Sequence, residues 1–324
     1  MEASHQEPKP LTLCEVFSET KRIHKSNRRT FNALAFLFLF PSSLAAVLSQ
    51  ILAKSLSHAA ASKSLFSIPP NITIILLAAA AYFLALVCSP CALGSITYAA
   101  FQGFHGEPVK LKAAIKSIAA SFFPLLATIL AVQLVVFAAT FAFALLVIVI
   151  ISTTAKATPL GLTASQYLLR FATAMFVVLM VYLQVNWTLA YAVVVAESSR
   201  GFAALERSKA LIKGKRGLAL SMSLFYGGFS FLLVLWSYSV AVDYAANLGG
   251  ASRPPAAAEW RGSFYNSATV LLFCSAMLTL VQLSNLIANA VLYVHCRADV
   301  NNNLHARGDY FSLPYDDENV ALVV

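Results

Sequence analysis

The sequence has few charged residues, and six long stretches have none at all. Asp, Glu, Lys and Arg make up 11% of the 324 residues, against about 25% in ordinary soluble domains. The uncharged stretches are residues 30–53, 64–106, 117–155, 171–196, 217–242 and 262–296. Each is long enough to cross a bilayer, which takes about 20 apolar residues in a helix. Because helices of soluble proteins carry one polar face, this pattern excludes a soluble fold.

Acidic residues are absent from all six stretches, and their absence reduces the number of functions that the protein could have. A proton- or sodium-coupled pump usually needs an ionisable group inside the membrane, and none of the 14 acids is placed to serve as one. The sequence also contains no G-x-S-x-G, H-E-x-x-H or Walker motif and no acidic metal cluster. We therefore predict that the protein is not an enzyme and uses no cofactor or metal.

The five cysteines do not form a disulfide framework, since Cys88, Cys91 and Cys274 lie inside apolar spans and the other two lie near span ends. Cys88-Ser-Pro-Cys91 has the C-x-x-C spacing of redox and metal sites. It lies in an apolar span, however, with no second cysteine pair and no histidine nearby. No redox or metal role is predicted for it.

The uncharged stretches predict an all-α, polytopic membrane protein with six transmembrane helices. We place the spans near residues 31–53, 73–98, 122–150, 170–195, 218–241 and 268–294. This divides the chain into an N-terminal segment with an amphipathic helix (1–30), a six-helix membrane domain (31–296) and an acidic, disordered tail (297–324). Pro41 and Pro90 fall within spans and predict kinks there.

Lys and Arg are distributed unequally between the two sides of this arrangement. Of the 23 basic residues, 17 lie in the segments on the side of the termini and six lie on the other. The positive-inside rule then places both termini in the cytoplasm. The sequence does not distinguish an endomembrane from the plasma membrane.

The cytoplasmic segments before spans one, three and five share a pattern of lysines four residues apart. The basic residues concerned are Lys21, Lys25, Arg28, Lys112, Lys116, Lys209, Lys213, Lys215 and Arg216. Four-residue spacing puts like charges on one helix face, which becomes favourable beside anionic lipid headgroups. We predict interfacial amphipathic helices in these segments, with anionic lipid as the partner and no nucleic acid. Whether they form a true threefold repeat stays open.

Amides are the most polar groups inside the spans. Gln282, Asn285 and Asn289 share one face of span six, while span four contains Gln184 and Asn186 and span three contains Gln133. This polar seam has two interpretations: a lining for a solute path, or interhelical hydrogen bonds that hold the bundle together. The absence of an ionisable partner favours the second.

One segment carries a family resemblance. Residues 197–217, ESSRGFAALERSKALIKGKRG, lead directly into span five. They resemble a signature of uncharacterised plant six-span transmembrane proteins, and the opening LTLCEVF at residues 11–17 fits the same proteins. The segment is more distantly similar to the bacterial membrane domain attached to some glycerophosphodiester phosphodiesterases. That region is not the catalytic part of its enzyme, so the resemblance implies architecture and no activity.

Two functions remain after these exclusions. The first is a non-enzymatic membrane-organising or adaptor component that engages anionic lipid through its basic helices. The alternative is a passive transporter or channel for a neutral or weakly polar solute, lined by the amides.

Overall fold

The computed structural model describes residues 12–49, 70–104, 106, 111–154, 159–249 and 257–307. Over these ranges the chain is almost entirely helical and contains no strand. The described residues fall into two compact units. The first contains those within 1–120 and 224–292, and the second those within 121–223 and 293–318.

Ten α-helices follow one another along the described parts of the chain. They are α1 (Leu13–Ser26), α2 (Arg28–Leu34), α3 (40–49), α4 (Pro70–Phe104), α5 (Leu111–Thr154), α6 (Pro159–Trp187), α7 (Ala190–Glu197), α8 (Phe202–Leu211), α9 (Arg216–Gly249) and α10 (Ala257–Arg307). A π-helical turn (Ala35–Leu39) joins α2 to α3, and a 3₁₀ turn (Ile212–Gly214) follows α8.

Six segments are long and apolar enough to cross a membrane. They are Arg28–Ser49, Ile75–Phe104, Ser121–Ser152, Gln166–Glu197, Arg216–Val240 and Ala268–Val300. Each overlaps one predicted span, so the all-α fold and the six membrane helices are confirmed. In a bilayer only a helix or a closed barrel satisfies its own backbone, which explains why hydropathy alone located these segments.

The N-terminal amphipathic helix α1 packs against the protein through its apolar face. Thr12 caps it: the side chain accepts from the backbone N–H of Glu15, whose carboxylate accepts from the N–H of Thr12. The buried face consists of Val16, Thr20 and Ile23. A Cβ at Gly103 of α4 would lie 2.9 Å from Cγ2 of Ile23, so the glycine allows α1 to approach α4 closely.

Of the two prolines predicted to kink spans, Pro41 lies next to a helical irregularity. The π-helical turn ends two residues before it. Proline has no N–H to donate and its ring crowds the carbonyl four residues earlier, and a π turn at that point relieves the crowding. Around Pro90, α4 continues as one helix, and a bend there stays a prediction.

Several predicted boundaries differ from the observed ones. Lys112 and Lys116 lie in the first turns of α5, which runs on without interruption into span three. Only α1 and α8 are therefore separate helices, so the three basic segments do not share one local structure. Helix α10 continues to Arg307, well into the tail expected to be disordered. Residues 308–324 lie outside the described residues.

Gly103→Val should loosen α1, because the added branched side chain would overlap the Ile23 methyl group. Overpacking of this kind costs about 1–3 kcal/mol. In proteoliposomes, trypsin should cleave faster after Lys21, Arg22 and Lys25. The control is Gly227→Val, since nothing lies within 4 Å of a Cβ at Gly227. Adding Ile23→Ala to Gly103→Val should restore the original cleavage rate, and failure to do so would contradict the proposed overlap.

Candidate functional site

The segment that carries the family resemblance folds as a short loop followed by α8, all within the second unit. Helix α7 ends at Glu197, and Ser198 takes the left-handed conformation that often terminates helices (φ 53°). Gly201 has φ +58°, which a side chain would strain. Its N–H donates to Oγ1 of the buried Thr128, 3.1 Å away. The loop is thereby attached to α5.

Helix α8 is held by an almost completely buried face. This face consists of Ala204, Leu205, Ser208 and Leu211, followed by Ile212 of the 3₁₀ turn. The Ser208 hydroxyl donates to the carbonyl oxygen of Asn186 at 2.7 Å. Asn186 lies in the last turn of α6, where helical carbonyls lack a donor from their own helix. Ser208 therefore supplies a hydrogen bond at the break between α6 and α7.

A carboxylate at the end of span four connects three helices. Glu197 accepts from the Tyr293 hydroxyl at 2.9 Å through Oε1 and from Nε of Arg207 at 3.0 Å through Oε2. The guanidinium of Arg297, one turn further along α10, interacts electrostatically with the Tyr293 side chain. Tyr293 is almost fully buried. Because hydrogen bonds to charged groups are about twice as strong as neutral ones, this Glu197 node holds α7, α8 and α10 together.

A second ion pair lies at the far end of the α8 segment. Nζ of Lys215 lies 2.6 Å from Oδ2 of Asp299 on α10. Lys215 was predicted to contact lipid headgroups, but in the structure its charge is balanced by this carboxylate.

The other predicted headgroup residues have exposed side chains. They are Lys21, Lys25, Arg28, Lys112, Lys116, Lys209, Lys213 and Arg216. On α1 and α8 they lie on the face opposite the buried residues. The amphipathic character predicted from sequence thus corresponds to a helix with one face packed on protein and one face outward.

The predicted polar seam is divided between the two units. In the first unit, Thr279 donates to Ser43 at 3.2 Å, and Ser43 donates to Oε1 of Gln282 at 3.4 Å. Asn285 and Asn289 of the same helix are half-buried. The buried Oδ1 of Asn289 has no hydrogen-bond partner among the described residues.

In the second unit the two seam residues behave differently. Asn186 is buried and donates from Nδ2 to the carbonyl of Tyr182 at 2.8 Å, whereas Gln184 is exposed. For Gln282 the geometry supports hydrogen bonding that holds helices together. The Asn186 amide bonds only within α6, and its buried Oδ1 has no hydrogen-bond partner among the described residues. The fold does not bring the five seam residues into one site.

Sequence reasoning did not identify the Glu197 node. Glu197 is the first charged residue after span four, and Arg207 follows ten residues later in the segment that carries the family resemblance. The sequence therefore indicated that these two residues could pair. Tyr293 could not be assigned to the node from sequence, because nothing in the linear sequence connects it to a residue 96 positions away. Among the described residues, no group of three His, Cys, Asp or Glu could hold a metal ion.

The comparisons with known proteins extend over nearly the whole chain. A protein-family model described as "Domain of unknown function (DUF8558)" matches residues 1–308. No curated protein and no solved structure matches the chain. The resemblance to plant six-span proteins and to the phosphodiesterase-associated membrane domain therefore stays a prediction.

Tyr293→Phe should destabilise the protein, because it removes the hydroxyl that donates to a charged carboxylate. A hydrogen bond of this type contributes about 1.5–3 kcal/mol. We expect a lower midpoint of thermal unfolding in detergent. Tyr238→Phe is the matched control, since Tyr238 is exposed, and it should leave the midpoint unchanged. Equal midpoints for wild type and Tyr293→Phe would show that the Glu197 node contributes nothing to stability.

Proposed function

The chain belongs to the DUF8558 family, and we propose that it is a non-enzymatic membrane-organising or adaptor component that binds anionic lipid headgroups through basic cytoplasmic helices. One observation carries this proposal. On α1 and on α8 with its 3₁₀ turn, lysines four residues apart are exposed on the face opposite the one packed in the protein. The membrane would be an endomembrane or the plasma membrane.

The charge balance of these segments favours an anionic partner. Between Thr12 and Arg29 there are five basic and two acidic residues, and Glu19 pairs with Arg22 at 3.2 Å. The α8 segment, 198–216, contains six basic residues and one acidic residue, Glu206. Arg207 and Lys215 pair with carboxylates outside the segment, which leaves four exposed basic residues. Near a negatively charged membrane surface each such residue contributes about 1 kcal/mol. The outward faces therefore have the chemistry of headgroup-binding surfaces.

The alternative is a passive transporter or channel for a neutral solute. Its support is the buried, unpartnered Oδ1 of Asn289, which a polar solute or a water molecule could satisfy. Against it, Gln282 on the same helix already accepts a hydrogen bond from Ser43. The contacts of the seam thus favour the lipid-binding proposal.

Lys209→Gln with Lys213→Gln should lower the preference of the purified protein for phosphatidylserine over phosphatidylcholine several-fold at low salt. The reason is the loss of two exposed charges beside the headgroups, an effect that salt screens. Lipids retained in native mass spectra would measure the preference.

The matched control for this experiment is Arg170→Gln with Arg261→Gln, which removes two charges from the predicted opposite side. It should retain the wild-type preference. Unchanged lipid selectivity in the lysine variant, or an equal loss in the control, would overturn the proposal.

The predicted sidedness can be tested through Cys14, the one exposed cysteine of the five. In sealed microsomes, whose outer face is cytoplasmic, a membrane-impermeant maleimide should label Cys14 without permeabilisation. In a Cys14→Ser background, Ser252→Cys should be labelled only after permeabilisation, because the charge distribution places that loop on the lumenal side. The reverse labelling pattern would invert the topology and move the basic helices away from the cytoplasm.

A further inference from the structure

Two glutamines in the second unit lie exposed on membrane spans. Gln133 is on α5 and Gln184 is on α6, and both side chains are exposed. Neither side chain hydrogen-bonds to any residue that the structure describes. Their neighbours on the outer surface are apolar, with Leu134 60% and Val177 54% exposed. Spans three and four are also the least buried of the six.

Both amides lie near the middle of the bilayer. Gln133 is twelve residues from the start of the span Ser121–Ser152, and Gln184 is thirteen residues from the end of Gln166–Glu197. At 1.5 Å per residue these positions lie about 18–20 Å along the chain from the nearer span end, counted for Gln184 through the two-residue turn between α6 and α7. Half of the hydrocarbon thickness is about 15 Å. A glutamine side chain is too short to reach water from there. In lipid alone, its donors and acceptor would remain unsatisfied.

The two amides are also at the same depth. Phe143 of α5 stacks on Phe176 of α6 with ring centroids 4.3 Å apart. The stack brings these two positions of successive spans, which cross the membrane in opposite directions, to about the same level. From this stack, Gln133 is ten residues toward the start of α5 and Gln184 is eight residues toward the end of α6. These separations correspond to about 15 Å and 12 Å in the same direction across the membrane.

The amides lie on one side of the α5–α6 pair as well. At about 100° per residue, each glutamine is rotated by about 80° from the phenylalanine of its own helix, and in the same sense when each helix is viewed from its N-terminus. Because the helices are antiparallel, rotation in the same sense moves both side chains toward the same face of the pair. The face bearing Gln133 and Gln184 is called the amide face below.

We propose that the amide face binds the amide face of a second copy of this chain, forming a twofold-symmetric dimer in the membrane. Rotation by 180° about the membrane normal brings α5 of one copy opposite α6 of the other. Gln133 then meets Gln184 of the second copy at the same depth, and the same pairing occurs a second time by symmetry.

A second copy fits this face better than an unrelated helix. A carboxamide has both donors and an acceptor, so two of them pair with each other without any charged partner. Interhelical hydrogen bonds between polar side chains are an established stabilising feature of helix association in membranes. The equal depth of the two glutamines is what an isologous contact requires, whereas a single foreign helix would need two matching polar groups at one level.

The oligomeric state in liposomes tests the proposal. Wild-type protein, labelled with one fluorophore per chain and diluted in lipid, should give two bleaching steps per particle over a range of densities. Gln133→Leu with Gln184→Leu should weaken dimerisation at least about tenfold, because four amides lose their partners in each dimer. Gln282→Leu is the matched control: its amide is bonded within its own chain, and it should dimerise like the wild type.

Crosslinking between differently tagged copies provides a second measurement that does not depend on the stability of the leucine variants. In a background without the five native cysteines, a copy with Gln133→Cys should couple through a short bifunctional thiol reagent to a copy with Gln184→Cys. Coupling of Gln133→Cys copies among themselves should be weaker. A monomeric wild type, an unweakened leucine double variant, equal weakening by Gln282→Leu, or absence of the mixed crosslink would each overturn the proposal.

Discussion

Lipid tails offer no hydrogen bond, and most of this structure follows from that constraint. Within the described spans, serine and threonine hydroxyls regularly donate to a carbonyl one turn earlier on their own helix, as Ser95 does to Cys91, Thr173 to Leu169 and Ser275 to Leu271. These residues need no partner helix, so they can stand on any face. One such bond does not satisfy an amide: Asn186 donates to Tyr182 one turn earlier, yet its buried Oδ1 has no partner among the described residues. The carboxylate at the end of span four has no proton to donate to a carbonyl. Such groups determine where helices must meet.

These larger polar groups obtain their hydrogen-bond partners in different ways. Glu197, at the end of span four, accepts hydrogen bonds from Arg207 of α8 and Tyr293 of α10. These bonds connect α8 to spans four and six. Gln282 accepts from a serine of a neighbouring span in its own unit. Gln133 and Gln184 have no such neighbour among the described residues, and the proposed dimer would satisfy them with a second chain. A partner's position can thus be inferred from which polar groups the monomer leaves unsatisfied.

The sequence predicted those parts of the structure that depend on local composition. Hydropathy located all six spans, because burial in lipid depends on segment length and apolarity and on no specific contact. The lysine spacing identified the outward face of α1 and α8. The Glu197 node was not predictable, since Tyr293 is brought to Glu197 by the fold and not by proximity in sequence. Likewise, nothing local indicated that the Lys112 segment continues α5 while the Lys209 segment forms a separate helix.

The two packed surface helices bear on how the protein would bind lipid. An isolated amphipathic helix must order its backbone on reaching the membrane, and this costs about 1–2 kcal/mol per residue. Helix α8 is already held by its buried face, by Ser208 and Arg207, and by the Lys215–Asp299 pair that follows it. In the proposed lipid binding, its exposed lysines would therefore be in position before a headgroup arrives, and no cost of folding would offset their attraction to it. Arg207 and Lys215 lie in the same basic segment but pair with carboxylates. Their role is structural, because these pairs hold α8 in the orientation that leaves its other basic residues exposed.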